Sequence, residues 1–416
     1  MEKKKQIDCF LPYSTAAITQ LLAAQLHESG VVKSIYTLAA DVPPTETLSQ
    51  YAHHLQAGSL LSLATMRLIA ATATADYALF YLKQGPVTLG YHALERMLQV
   101  AEETGAAMVY ADHYSVEAGK TVKHPVTDYQ LGSIRDDFDF GSVVLLKTEY
   151  LKEYAAKEVA KDYQFAGWYD LRLFLSRKGE LFHLNEYLYT EEEDDLRASG
   201  EKQFDYVNPR NREVQIEMEQ AATAHLSAIN ALVDTTQYAQ PDFSAEAFPV
   251  EASVVIPVFN REKTVRDAVV SALSQKTDFP FNVIVVDNHS TDGTTEILSS
   301  LATDERLVHL IPTRTDLGIG GCWNYAINDA HCGRFAVQLD SDDLYSSENT
   351  LQVIVNAFHE QKAAMIVGSY RMCDFDLNTL PPGLISHNEW TEDNGCNNAL
   401  RINGLGAPRA FFTPLV

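Results

Sequence analysis

From residue 253 onward, short apolar runs of strand length alternate with segments of helical periodicity, and this alternation constrains the fold of the chain more than any other feature. Strands that alternate with helices predict an α/β fold with a mostly parallel sheet covered on both faces. Ligands of such open sheets bind beyond the carboxyl ends of the strands. Asn260, Asp287 and Asp340 follow three of the predicted strands, so we expect them to converge on one crevice.

The pattern predicts four strands and four helices in this region. The strands are predicted at residues 253–256, where Pro257 is expected to stop the run, and at 283–286, 335–340 and 363–367. The helices carry apolar residues at helical spacing over 265–273, 297–301, 323–330 and 351–358. A glycine-rich turn, residues 318–321, is expected to precede the third helix.

An acidic cluster follows the third strand, since Asp340, Asp342 and Asp343 lie within four residues. Carboxylates at the end of a buried strand repel one another unless a cation is present, and hard oxygen ligands point to Mg²⁺ or Mn²⁺. The cluster therefore predicts a metal site that binds a diphosphate. The alternative is structural: Asp340 begins a turn, and Asp342 or Asp343 caps a helix that starts near Ser347.

Composition excludes several classes of protein. A chain of 416 residues with 46% apolar and 21% charged residues suggests two or three ordinary globular domains. A net charge of −24 argues against nucleic acid or an anionic membrane as the partner. The five cysteines have no CxxC spacing, which indicates neither a disulfide framework nor a zinc site.

The sequence predicts a cytoplasmic protein. No signal-peptide core follows the basic N-terminus, and no apolar run reaches the roughly 18 residues of a membrane-spanning helix. Any association with a membrane is therefore expected to be peripheral.

Residues 191–249 differ in composition from the segments on either side. They begin with the acidic run 191–195, which is expected to be solvated, and continue with a predicted helix over about 212–233. We interpret this stretch as a connector between a domain at 1–190 and a domain at 250–416.

The first 190 residues resemble the last 165. Residues 77–82 match 335–340 at an offset of 258, and residues 105–109 match 362–366 at an offset of 257. The alternative is that any two α/β domains share such patterns. If the copies align, Leu82 and Gln84 stand at the positions of Asp340 and Asp342, so the first copy lacks the metal ligands and is expected to be a structural, regulatory or acceptor-binding domain.

Three motifs together resemble family 2 glycosyltransferases with the GT-A fold: residues 254–260, 285–294 and 338–343, from about residue 252 to the C-terminus. The resemblance implies two tandem GT-A domains, the first degenerate. It also implies transfer of a sugar, typically a hexose from a UDP-sugar, from a nucleotide diphosphate donor to an acceptor hydroxyl with inversion. Bacterial surface polysaccharide synthesis is the expected setting, with a glycan or lipid-linked acceptor.

The resemblance also implies roles for individual residues. Pro257, Asn260 and Asp287 would bind the nucleotide, although Asp287 has a turn-forming role as its alternative. Asp340 and Asp342 would hold Mn²⁺ or Mg²⁺ on the diphosphate. The region of the diphosphate and donor sugar would include the following residues: Gly320, Gly321, Asn324, Ser341 and Asp343.

The catalytic base of such enzymes is an acidic residue placed after a strand that matches residues 404–412 here. We therefore expect the base to lie beyond Val416 and the C-terminal domain to be truncated. In the first copy Asp170 occupies the base-like position, but catalysis by Asp170 is not expected because that copy has no metal motif.

Two other readings compete with the transferase. One is a non-catalytic protein that binds nucleotide sugars or serves as a scaffold, a pseudo-glycosyltransferase. The other is a methyltransferase or dinucleotide enzyme, which fits poorly because its glycines belong between the first strand and helix, where this chain has residues 257–261.

Overall fold

The computed structural model describes residues 5–41, 50–117, 119–157, 161–192, 212–388, 390–391, 395–402, 405–406 and 408–416. The chain divides into two compact units. Unit 1 comprises Met1–Leu232 and Glu389–Ile402, and unit 2 comprises Val233–Asn388 and Asn403–Val416. Within the described residues no helix is long and apolar enough to cross a bilayer.

Unit 1 is an α/β structure. Its strands are β1 (Ile7–Pro12), β2 (Val32–Ala39), β3 (Ala52–Gln56), β4 (Tyr77–Tyr81), β5 (Val87–Leu89), β6 (Met108–Glu117), β7 (Lys120–His124), β8 (Val143–Lys147) and β9 (Leu181–Glu192). Its helices are α1 (Ala16–Glu28), α2 (Leu63–Thr72), α3 (Ala93–Thr104), α4 (Thr148–Ala156), α5 (Gly167–Leu175), α6 (Arg212–Ala228) and α11 (Asn398–Arg401). The sheet has the order β3-β2-β1-β4-β8-β6-β9-β5, with β7 beside β6, and apolar cores cover both of its faces.

Unit 2 is a mixed α/β structure with a sheet rich in parallel strands. Its strands are β10 (Ala252–Val258), β11 (Phe281–Asp287), β12 (Leu307–Leu310), β13 (Phe335–Gln338), β14 (Met365–Val367), β15 (Tyr370–Cys373), β16 (Thr379–Ile385) and β17 (Arg409–Phe412). Its helices are α7 (Val265–Leu273), α8 (Thr294–Leu301), α9 (Gly318–Ile327) and α10 (Thr350–Gln361). The main sheet has the order β12-β11-β10-β13-β17-β14, and β15 pairs with β16 separately.

The two sheets share one pairing register over six strands. In each sheet the first four strands pair in parallel with one another. The fifth strand is antiparallel to the fourth, and the sixth is antiparallel to the fifth. A single row of paired residues crosses unit 1 as Ala52, Ile35, Cys9, Leu79, Leu145 and Val109, and crosses unit 2 as Leu307, Val283, Val254, Val337, Ala410 and Ile366. This row defines equivalent positions in the two sheets.

The predicted stop at Pro257 is wrong, because β10 continues to Val258. The amide of Asn288 donates to the carbonyl of Val258, so the backbone groups of Val258 face β11. Backbone groups alternate in direction along a strand, so the nitrogen of Pro257 faces the β13 side. The pairing with β13 ends at Val255, and proline therefore removes no ladder hydrogen bond at this position.

The glycine-rich segment is the first turn of a helix rather than a turn before it. Helix α9 begins at Gly318, which has a positive φ of 58°. A Cβ atom on Gly321 would lie 2.7 Å from the Cβ of Leu317, so close packing requires glycine there. The prediction also missed β12, a strand of only four residues.

Helix α6, which lies in the predicted connector, packs within unit 1. It buries Ala221, Ala222 and Leu226 in the core of that unit. Unit 1 therefore extends to Leu232 instead of ending at residue 190, because these apolar side chains need the cover of a neighbouring core.

The segment 395–402 also belongs to unit 1 and is held there by a buried arginine. Arg401 is fully buried and pairs with Asp136, while its Nη2 donates to Gln215 Oε1 at 2.7 Å. The amide nitrogen of Asn397 donates to Glu219 Oε1 at 3.0 Å. A buried guanidinium is tolerated because these acceptors replace the water that it loses.

Glu191 is not a solvated residue, as the acidic run had predicted. Its side chain is 2% exposed and accepts hydrogen bonds from Lys83, Ser142 and His113. Residues 193–195 of the run lie outside the described residues. Burial alone would raise the pKa of Glu191, but these hydrogen bonds outweigh burial and lower the pKa to about 2.

Glu191→Gln is expected to reduce the free energy of unfolding at pH 7 by roughly 3 kcal/mol, because an acid with a lowered folded pKa stabilises the fold when it is ionised. This contribution is present above the unfolded pKa of 4.5 and is lost as the pH falls toward about 2. Urea unfolding at pH 7 and pH 3 measures it. Glu192→Gln, at the exposed neighbour, is the control and should change little. A Glu191→Gln deficit that is equal at both pH values would contradict the ionic role.

Candidate active site

Three parallel strands of unit 2 end at the same edge of the sheet. Strand β10 lies between β11 and β13, and all three run in the same direction. Their carboxyl ends lead into the segments that contain Asn260, Asp287 and Asp340. The predicted convergence of these segments therefore follows from the strand order.

Asp287 is fully buried at the end of β11, and both of its oxygens are engaged. Oδ1 accepts from the amide of Ser290 at 2.9 Å, and Oδ2 accepts from the Thr295 hydroxyl at 2.6 Å. Burial alone would raise the pKa of Asp287, but the bonds from Thr295 and Ser290 hold it below its usual value. The carboxylate is thus kept ionised and fixed in position, and its bond with Ser290 is the turn-forming contact of the alternative interpretation.

His309 is a neighbour of Asp287 that sequence reasoning missed. Its Nε2 lies 3.6 Å from Asp287 Oδ2, and its side chain is 13% exposed. His309 lies on β12, which is not among the predicted strands. A polar residue next to apolar ones in a short edge strand was the only available signal.

The segments after β10 and β11 are tied together by Asn260. Its backbone has a positive φ of 53°, and its side-chain oxygen accepts from the amide of Thr291 at 2.7 Å. The amide of Asn260 in turn donates to the Ser290 hydroxyl at 3.0 Å. Asparagine suits this position because it tolerates the left-handed region and bonds backbone groups locally. Pro257, half-buried, precedes this junction in β10.

The acidic cluster does not cap a helix. Helix α10 begins at Thr350 with Asn349 at its N-cap, so Asp342 and Asp343 lie too early in the chain to serve it. The amide of Asp343 does donate to the carbonyl of Asp340 at 3.1 Å, and the cluster therefore starts in a turn. The capping alternative is wrong, while its turn component is confirmed.

The carboxylates of the cluster repel one another. Local desolvation of the carboxyl and the charges of Asp340 and Asp342 raise the pKa of Asp343 to about 6, although the residue as a whole is exposed. Ser341, between them, is buried. Repulsion among the three carboxylates thus destabilises the ionised cluster, and a bound cation would reduce this repulsion.

A cavity of about 390 Å³ opens beside the cluster. Its lining is Asn260, Arg261, Glu262, Lys263, Thr264, Asp292, Asp342 and Phe375. Nε of Arg261 lies 3.6 Å from Asp342 Oδ2, and both side chains are about half exposed. Arg261 and Lys263 were not among the predicted site residues; helix α7 starts at Val265, and the loop before it carries both cations to the cavity.

The predicted residues of α9 do not line this cavity. Gly320 has open space around its Cβ position, whereas Gly321 packs against Leu317. Asn324 is exposed, and its side-chain oxygen accepts from Asn328 Nδ2 at 3.3 Å. Gly321 and Asn324 thus make contacts with the N-cap and C-cap residues of α9, and none of the three residues lines the cavity.

Asp170 of unit 1 is enclosed in protein. It lies on α5, is 2% exposed and accepts from the Tyr154 hydroxyl at 2.9 Å. Burial raises its pKa. Its hydrogen bond and burial give Asp170 a structural role in unit 1.

Comparison with known proteins identifies related sequences in the second half of the chain. Residues 253–411 match the family model described as glycosyl transferase family 2. An uncharacterised glycosyltransferase of Haemophilus influenzae is 28% identical, over 31% of this chain and 50% of its own length. TuaG of Bacillus subtilis, a glycosyltransferase named for teichuronic acid biosynthesis, is 27% identical over 36% and 58%.

WbaN of Salmonella anatum, an O-antigen chain rhamnosyltransferase, is 25% identical over 34% of this chain and 43% of its own length. The chain spans about half the length of these curated relatives. Among solved structures, S. aureus TarS 1–349 in complex with UDP-GlcNAc covers 40% of this chain and 46% of that chain at 24% identity, with a TM-score of 0.32.

Asp343→Asn is expected to raise the thermal unfolding temperature at pH 7.5, by an effect of no more than about 1 kcal/mol after solvent screening. The sign follows because a carboxyl with a raised folded pKa destabilises the fold when it is ionised, and the penalty disappears as the pH falls from about 6 to 3.8. Differential scanning calorimetry at pH 7.5 and pH 4 measures the difference. Asp316→Asn removes an exposed carboxylate that pairs with Arg314, and this control should not stabilise. Equal stability of Asp343→Asn and the unmodified protein at pH 7.5 would contradict the repulsion.

Proposed function

We propose that the chain transfers a sugar from a nucleotide diphosphate donor to an acceptor hydroxyl, because residues 253–411 match the model of glycosyl transferase family 2. The proposed transfer proceeds with inversion at the sugar carbon, with a UDP-linked hexose as the donor. The observation that carries the proposal is the cavity of unit 2, in which the carboxylate of Asp342 and the cations Arg261 and Lys263 share one lining. Mixed charges of this kind suit a diphosphate that is bound together with a divalent ion.

The acidic cluster fits Mn²⁺ or Mg²⁺ by the chemistry of its donors. Its carboxylates are hard oxygen ligands, and the raised pKa of Asp343 reflects repulsion that a divalent cation would relieve. Groups of three such side chains already arranged around one point are absent from the described residues. Mg²⁺ commonly takes one or two carboxylates and completes its shell with substrate phosphates, so Asp340 and Asp342 suffice on the protein side. When bound, the ion would stabilise the charge that develops on the leaving diphosphate.

The nucleotide is proposed to bind near Asp287 and Asn260. Asp287 is fully buried and held ionised by Thr295 and Ser290, so the loop after β11 must move before its remaining lone pairs accept a hydrogen bond from a base N–H group. Pro257 and Asn260 shape the loop at this edge, and Arg261 and Lys263 face the phosphates. Together these residues would bind and orient the donor while Asp340 and Asp342 hold its diphosphate end.

The acceptor is proposed to be a glycan or a lipid-linked sugar of a bacterial surface polysaccharide. Two relatives support this class by name, since one is an O-antigen chain rhamnosyltransferase and the other is named for teichuronic acid.

We propose that unit 1 is a degenerate, non-catalytic copy of the same fold. The shared register supports this, because it aligns Leu82 and Gln84 with Asp340 and Asp342. The position of Asp287 is occupied by Ala39. Lys83, between the two lost carboxylates, pairs with the buried Glu191. A fixed internal ion pair thus stands where unit 2 has its acidic cluster, which favours a structural or scaffold role for unit 1.

Titration of the full chain with UDP and then GDP, with and without Mn²⁺, tests the donor site. We expect one binding site per chain, metal-dependent binding that favours UDP, and a loss of at least about tenfold in affinity in Asp340→Ala/Asp342→Ala, since these ligands hold the metal. Isothermal titration calorimetry gives the affinity and the stoichiometry.

The control is Asp234→Ala/Asp242→Ala, which removes the same charge from two exposed turn residues of unit 2 and should bind as the unmodified protein does. Nucleotide binding that survives the Asp340→Ala/Asp342→Ala change would argue against this site. A stoichiometry of two would show that unit 1 binds nucleotide as well.

A further inference from the structure

We infer that Gln338 and Arg409 are positioning residues that orient Asp340 for the metal-bound diphosphate. Gln338 Nε2 donates to Asp340 Oδ1 at 2.9 Å, and Arg409 Nε donates to Gln338 Oε1 at 2.8 Å. We call this Arg409–Gln338–Asp340 chain of hydrogen bonds the Gln338 bridge. The inference rests on the proposed function, because it assigns Asp340 to the donor site.

The chemistry of the two ends fixes the direction of the amide. Arg409 can only donate, and the ionised carboxylate of Asp340 can only accept. A flipped Gln338 amide would set its oxygen against the carboxylate and its NH₂ group against the guanidinium, and both contacts would be repulsive. The Gln338 bridge therefore has one stable arrangement, in which the positive charge of Arg409 polarises the bond to Asp340.

The fold holds the Gln338 bridge rigidly. Gln338 is the last residue of β13 and is 5% exposed. Strands β13 and β17 are antiparallel with Val337 opposite Ala410, which brings Arg409 opposite Gln338. Cross-strand neighbours of this kind lie within direct contact distance. Because both side chains start from paired strands, Asp340 is oriented by the sheet and not only by its own turn.

Unit 1 provides an internal comparison. Its register places Phe80 opposite Val144, and these are the positions of Gln338 and Arg409. Both Phe80 and Val144 are buried and apolar, with 2% and 0% exposure. The same unit has Leu82 where unit 2 has Asp340. The polar pair and the carboxylate thus occur together in one unit and are both replaced by apolar residues in the other, as expected if the pair serves the carboxylate.

In the Gln338 bridge the two oxygens of the Asp340 carboxylate have different surroundings. Oδ1 accepts from Gln338, and the hydrogen bonds of the described residues leave Oδ2 available to a ligand. Hydrogen bonds to a ligating carboxylate hold its orientation, and their removal commonly weakens metal binding by about 10- to 100-fold. Loss of the Gln338 bridge should therefore weaken metal-dependent donor binding without removing any ligand.

The test is Mn²⁺-dependent UDP binding to the full chain, measured by calorimetry and by the EPR signal of free Mn²⁺. Gln338→Met has a similar volume and removes both hydrogen bonds, so we expect affinity to fall about tenfold. The affinity of Arg409→Met should also fall, but by a smaller factor. The affinity of Arg409→Lys should stay within about twofold of the unmodified protein, because lysine can still donate to Gln338. The double variant Gln338→Met/Arg409→Met should bind UDP as tightly as the weaker-binding single variant, since the two residues act through one chain of hydrogen bonds.

Gln275→Met is the matched control. Gln275 is also 5% exposed in unit 2 and its side chain makes three hydrogen bonds, to the carbonyls of Ser271 and Ser347 and from the amide of Leu351, but it does not touch the acidic cluster. It should lower the unfolding temperature about as much as Gln338→Met and leave Mn²⁺–UDP affinity unchanged. If Gln338→Met does not fold, the Arg409 variants carry the test alone.

Unchanged affinity in folded Gln338→Met or Arg409→Met would overturn the inference, and so would an equal loss in Gln275→Met. The absence of any Mn²⁺-dependent nucleotide binding by the unmodified protein would instead overturn the proposed function, and the inference with it.

Discussion

The unequal lengths of three paired strands determine the site of unit 2. Strand β10 runs on to Val258 and β11 to Asp287, whereas β13 stops at Gln338, paired with Val255. The short strand leaves a step at the carboxyl edge of the sheet, and the acidic cluster begins at this step. Pro257 is compatible with the step because its missing N–H faces the side where β13 has ended. The loops and the cavity all follow from this arrangement of the backbone.

Charge compensation is local within a strongly acidic protein. Asp342 has Arg261 nearby, and Asp340 is linked to Arg409 through Gln338. The pKa of Asp343 is instead raised, by desolvation and by the charges of Asp340 and Asp342. In unit 1 Lys83, which follows β4, pairs with the buried Glu191. The same strand order thus supports two different electrostatic states, one closed by an internal cation and one with an excess of negative charge.

Sequence patterns predicted much of unit 2 because its strands are continuous apolar runs and its helices are amphipathic. Periodicity could not find β12, because His309 interrupts its apolar run, nor the true start of α9, since Gly318 and Gly321 weaken any helical signal. Glu191 was misread because a run of acidic letters says nothing about Lys83, Ser142 and His113, which meet it only through the sheet.

The site shows the same division between local and tertiary information. Asp287 and Asp340 stand directly after apolar runs, so their location was readable. Arg261, His309 and the pair Gln338 and Arg409 depend on which strands lie side by side, and a linear pattern carries little of that information. Local chemistry was therefore predictable, whereas the partners that hold it in place required the pairing register.

The buried Arg401 bears on how this protein can be dissected. It lies within the stretch 253–411 that matches the family, yet it is folded into unit 1 against Asp136 and Gln215. A fragment cut at the family boundary would carry the Arg401 guanidinium without Asp136 and Gln215, and the remaining fragment would retain the Asp136 carboxylate without this cation. The stretch that matches the family and the compact unit that folds around it therefore have different boundaries in the sequence.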